Sequence, residues 1–108
     1  MSGAVDSGIL YNDAFAATDP ITSEVLNISP SKFGTTIFVA PVGCDMDMVV
    51  EVQDPEGDWH ETDSTPTTTL DGECDPINIP ANLHRLRAVL TPSTAPGSAI
   101  VWAVSFGG

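Results

Sequence analysis

The sequence predicts an all-β domain: an antiparallel β-sandwich of about six to eight strands, jelly-roll-like or immunoglobulin-like, with an extended N-terminal arm. Three observations carry this. Nine prolines and nine glycines are spread along 108 residues, so the apolar runs between them are short. Several of those runs alternate with the period of two that a sheet imposes. No stretch keeps a period of 3.6 over three turns; Ile9–Ala17 comes nearest, but it holds Asn12 and Asp13 and runs into Asp19-Pro20.

Taken in order, residues 1–20 are rich in Ser, Gly, Ala and Asp and read as an arm or loosely packed edge, with the sandwich domain at 21–108. Ile9, Leu10, Tyr11 and Phe15 give that arm apolar surface to bury, which predicts docking on a partner. Ser23–Ile28 and Thr35–Val42 are the first strands. Met46–Gln53 is the clearest, with Met46, Met48, Val50 and Val52 on one face and Asp47, Val49, Glu51 and Gln53 on the other. Asp54-Pro55-Glu56-Gly57-Asp58 reads as a tight turn, and Trp59–Thr62 as the return strand of a hairpin. Residues 64–69 form a short low-complexity loop. Ile77–Ile79, between Pro76 and Pro80, suits an edge strand, where proline is tolerated. Leu83–Thr91 alternates, with Leu86, Ala88 and Leu90 on one face. Ser98–Phe106 sets Ile100, Trp102, Val104 and Phe106 against Ala99, Val101, Ala103 and Ser105. Both of its faces are partly apolar, so a second sheet or another subunit is expected to cover each side.

Charge narrows the function classes. Fifteen Asp and Glu against three Lys and Arg give a net charge of −12. That disfavours binding to nucleic-acid phosphates or an anionic membrane surface. It fits an acidic, solubilising surface, or adaptation to high salt, where carboxylate repulsion is screened. No apolar run is long enough for a membrane-spanning helix, and residues 1–6 lack the pattern of a secretory signal.

Candidate chemistry is sparse. The sequence contains no nucleophile elbow, phosphate-cradling glycine loop or His-Glu-x-x-His, so no enzyme is predicted and no cofactor is required. Two Cys and two His lack the paired spacings of a zinc site. Asp54, Glu56 and Asp58, and again Asp71, Glu73 and Asp75, place carboxylates at every other residue of glycine-containing turns, the oxygen-rich setting that Ca²⁺ needs. Solvated acidic turns are the alternative. Cys44 and Cys74 would close a loop of about 30 residues if bonded, worth about 3–4 kcal/mol in the chain-entropy model; free thiols fit equally well. Arg85 and Arg87 share a strand face and either pair with a carboxylate such as Glu51 on a neighbouring strand or anchor an acidic partner. Trp59, beside a turn, is placed to stack on a sugar.

The segment Met48-Val49-Val50-Glu51-Val52-Gln53-Asp54-Pro55-Glu56-Gly57-Asp58-Trp59, together with Leu86–Thr91 and Ala99–Val104, gives residues 35–106 a hairpin layout. That layout resembles small tailed-virus virion proteins, in particular capsid decoration or cement proteins. The resemblance implies a non-enzymatic structural protein located in the virion. It implies partners among the other virion proteins, above all the major capsid protein, and a homo-oligomer such as a trimer. The acidic balance points to a virus of a salt-loving archaeon. A carbohydrate-binding or adhesion module of a tail, fibre or cell surface shares the same pattern.

Overall fold

The computed structural model describes residues 7–62 and 67–107. Ten strands run through them: β1 (Gly8–Phe15), β2 (Ile21–Thr22), β3 (Leu26–Asn27), β4 (Gly34–Val42), β5 (Met46–Gln53), β6 (Trp59–Glu61), β7 (Thr67–Thr69), β8 (Asp75–Ile79), β9 (Arg85–Pro92) and β10 (Gly97–Phe106). One sheet has the order β1-β10-β4-β8. The other has the order β2-β9-β5-β6, with β3 also on β9 and β7 also on β5. Every pairing is antiparallel. β2 and β3 are two pieces of one edge along β9, and β6 and β7 two pieces of one edge along β5. Joining them leaves eight strands in two four-stranded sheets, the jelly-roll member of the two predicted architectures.

The two long central strands of the larger sheet form as the alternation requires. On β5, Met46, Met48 and Val50 face inward, and on β9 Leu86, Ala88 and Leu90 do so. The β4–β10 pair supplies Ile37, Val39, Ala99, Val101 and Ala103 from the opposite sheet. Large side chains on one sheet thus meet small ones on the other across a layer about 10 Å thick. Each fully buried Leu, Ile or Met contributes about 1.5–3 kcal/mol relative to exposure. Thr35 and Ser105, adjacent on β4 and β10, bury their hydroxyls by bonding each other at 2.9 Å.

Several boundaries differ from expectation. The segment read as an arm or loose edge contains β1, an edge strand on β10, with Leu10 in the core at 3% exposure. Consecutive apolar residues and a register shift between Ile9 and Tyr11 hide its alternation. The expected strand Ser23–Ile28 is split. Ser23 turns its hydroxyl inward to accept the Ala88 N–H at 2.9 Å, and the Glu24 N–H donates to Leu10 of the other sheet. β9 begins at Arg85 rather than Leu83, because His84 adopts a positive φ of 64° and its N–H is capped by Asn82. The expected loop at 64–69 gives way to β7 at Thr67–Thr69, while residues 64–66 lie outside the described residues.

Candidate interaction surface

The two sheets turn very different outer faces to solvent. Alternation on β5 and β9 sends Asp47, Glu51, Arg85, Arg87 and Thr91 outward together with the paired Val49 and Val89, so the larger sheet is mostly polar outside. Glu51 and Arg87 are register partners and form an ion pair at 2.7 Å. The same guanidinium lies 4.2 Å from the ring centre of Trp59. Arg87 is therefore committed within the molecule, and it occupies a face of the indole that a sugar would stack on. Arg85 remains exposed.

On the other sheet the alternation of β10 places the small residues Ala99, Val101, Ala103 and Ser105 in the core. Ile100, Trp102, Val104 and Phe106 are left outside. Register extends this face across the sheet. Trp102 sits between Ile9 of β1 and Phe38 of β4, and Ile100 between Asn12 and Ala40. Phe38 and Trp102 stack at 5.0 Å with an interplanar angle of 13°. Val42 is 61% exposed, Ile9 59%, Val104 46% and Phe106 42%. Phe33 packs edge-on against Phe106, its ring centre 6.1 Å away. The polar outward groups of β4 and β8 at this end are neutral, Thr36 donating to Asn78 at 2.8 Å. Beside the aromatic pair lies an open groove of about 300 Å³ lined by Asn12, Asp13, Ala14, Ala40, Val42 and Ile100. Monomeric proteins rarely expose a contiguous apolar patch beyond a few hundred Å², and larger ones mark interaction sites.

Of the residues expected to reach a partner, Ile9 alone lies exposed on this face. Leu10 is turned into the core, and Tyr11 and Phe15 are partly buried against it. Gly97 is required where Phe15 docks, since a Cβ there would meet the ring at 2.9 Å. Alternation places Phe38, Ala40 and Val42 on one face of their strand, but they are not among the residues the sequence assigns to a partner. The available signal was the second apolar face of β10, repeated by the matching alternation of β4.

The acidic turns use their carboxylates on the backbone. Asp54 accepts the N–H groups of Glu56 and Asp58 at 2.8 and 3.0 Å, and its other oxygen meets His60 Nε2 at 2.7 Å. Asp71 accepts the Gly43 N–H at 2.8 Å, and Asp45 accepts the Asp71 N–H at 2.9 Å. Among the described residues, no three His, Cys, Asp or Glu are grouped to hold a metal, so neither expected Ca²⁺ loop is assembled. Cys44 and Cys74 are both free, the first buried and the second exposed, so the disulfide open to them is not formed. Burial, then Asp71 and Asp45, push the Cys44 thiol up, away from nucleophilic thiolate chemistry.

The hydrogen bond from His60, helped by the backbone amides, holds the Asp54 carboxyl below its ordinary value. A group depressed in the folded state stabilises above its unfolded value, about 3.9, and that contribution is lost as pH falls through the folded value. The Asp54 carboxyl resonance should accordingly titrate below about 3.9 and move back up in His60→Ala, which removes the donor. An unchanged midpoint in His60→Ala would show that His60 does not hold this carboxyl down.

No family model matches the chain, and no curated protein does. Among solved structures, the fold is similar to that of the PBSX exported protein XepA, with a TM-score of 0.75 at 12% identity. The match covers 94% of this chain and 37% of that one, so the chain spans little more than a third of its neighbour's length. The fold is thus shared with part of a phage-derived protein.

Proposed function

We propose that this chain is a non-enzymatic structural component of a virus particle, most specifically a capsid decoration protein that stabilises the shell through subunit contacts. The observation that carries the reading is the largely apolar outer face of the β1-β10-β4-β8 sheet on a molecule of net charge −12. Such a face is soluble in company and poorly soluble alone. The jelly roll shared with a phage-derived protein supports the viral setting. Partners would be other virion proteins, with the major capsid protein foremost, and many weak contacts would sum over many copies. The acidic surface suits a particle that works in high salt. No catalytic step and no cofactor enter this reading. The carbohydrate-binding alternative is less favoured, because Arg87 already occupies a face of Trp59.

Density-gradient separation of the native source tests this. The chain should band with particles of megadalton mass. Recovery at its own 11.3 kDa, with none in the particle fractions, would contradict the proposal.

A further inference from the structure

We infer that the outer face of the β1-β10-β4-β8 sheet is covered by a second copy of this chain, packed face to face about a twofold axis. The inference rests on reading that face as an assembly surface, and it names the occupant.

The relief of the face is self-complementary. Phe38 and Trp102 stack into a ridge. The adjoining groove is floored by Ala40 and Ile100, the next outward pair along the same two strands, because Trp102 registers with Phe38 and Ile100 with Ala40. Ridge and groove are therefore neighbours about 7 Å apart along the strands. Consider an axis lying in the plane of contact, across the strands and between the two pairs. A half-turn about it lays each copy's ridge over its partner's groove. This is the isologous geometry of a twofold dimer, in which one patch serves both sides.

Charge selects the same occupant. The chain carries −12 overall. Two copies meet most readily where carboxylates are few: the outward residues Ile9, Phe38, Ala40, Ile100, Trp102 and Val104 bear no charge, and Asp13 is the one acidic residue lining the groove. A basic partner would instead be met by the acidic surfaces. Four strands about 4.8 Å apart and about eight residues long present a face of roughly 500 Å². Pairing two such faces buries on the order of 1,000 Å², the lower bound for a specific contact, so a weak, reversible dimer is expected.

Sedimentation equilibrium of the whole chain in high salt, from about 1 to 200 µM, reads this directly. The expected result is a reversible shift from 11.3 kDa to twice that mass. Ile100→Asp should raise the dissociation constant by about 100-fold or more, since it sets an unpaired charge into an apolar contact. Val104→Asp, at a more exposed site of the same face, should weaken pairing too and provides a second variant if the first folds poorly. A wild-type chain that stays monomeric throughout overturns the inference. So does a closed ring of three or five copies, or a dimer that both variants leave intact. A monomer that nonetheless bands with particles would overturn the pairing alone and leave the structural role standing, with another virion protein on this face.

Discussion

Val101→Asp should leave no folded domain, whereas Ile100→Asp, one residue earlier on the same strand, should change stability by no more than about 1 kcal/mol. Val101 is fully buried between the sheets, and its neighbours there are apolar. A carboxylate at that point has neither water nor a partner, and its burial costs several kcal/mol against a total stability of about 5–15 kcal/mol. Ile100 faces outward, where a charge keeps its hydration. Urea unfolding followed by circular dichroism separates the two. The reverse ranking would mean that the inner and outer faces of β10 have been exchanged, and similar losses that both are buried within the monomer.

Raising the salt concentration should stabilise the chain strongly. With 15 acidic side chains against three basic ones, folding concentrates like charge. Between about 0.01 M and about 1 M salt the Debye length falls from about 30 to about 3 Å, so most of that repulsion is removed. A gain of about 2 kcal/mol corresponds to a rise in melting temperature of roughly 10 °C for a domain of this size. Screening requires the rise to follow ionic strength whichever salt is used. A flat response would show that the carboxylates are already spaced too widely to repel. A rise with sulfate but not chloride would point to exclusion of sulfate from the surface.

The fold was legible where one face of a strand is dry and the other polar. β5 and β9 satisfy that condition, and their alternation predicted both the inward residues and the Arg87–Glu51 pair across them. β8 was legible through its flanking prolines. The expectation fails where a different interaction replaces alternation. β1 is masked by its irregular register, β2 and β3 by the inward hydroxyl of Ser23, and β7 by its run of threonines, which suits a strand but has no apolar contrast. The acidic turns show why carboxylate spacing alone is a poor guide to metal binding. Asp54 and Asp71 satisfy backbone amides, and that demand is common to any tight turn.

The interaction surface was half legible. Two apolar faces on β10 predicted that both sides are covered. Size alone would place Ile100, Trp102, Val104 and Phe106 inside. The opposing sheet decides otherwise: Met46, Met48, Leu86 and Leu90 fill the interior and leave room only for Ala99, Val101 and Ala103. The bulky residues are displaced to the outside, where they form the proposed assembly surface. That step depends on volumes from strands far apart in the chain, which no local pattern contains.

Hydroxyl-radical footprinting of particle-bound chain against isolated chain, diluted until it is monomeric, tests the central claim most directly. If the outer face of the β1-β10-β4-β8 sheet is the assembly surface, Trp102, Val104 and Phe106 are protected in the particle, while Trp59 on the opposite sheet reacts equally in both states. Equal labelling of Trp102 and Phe106 in the bound and free forms would contradict it.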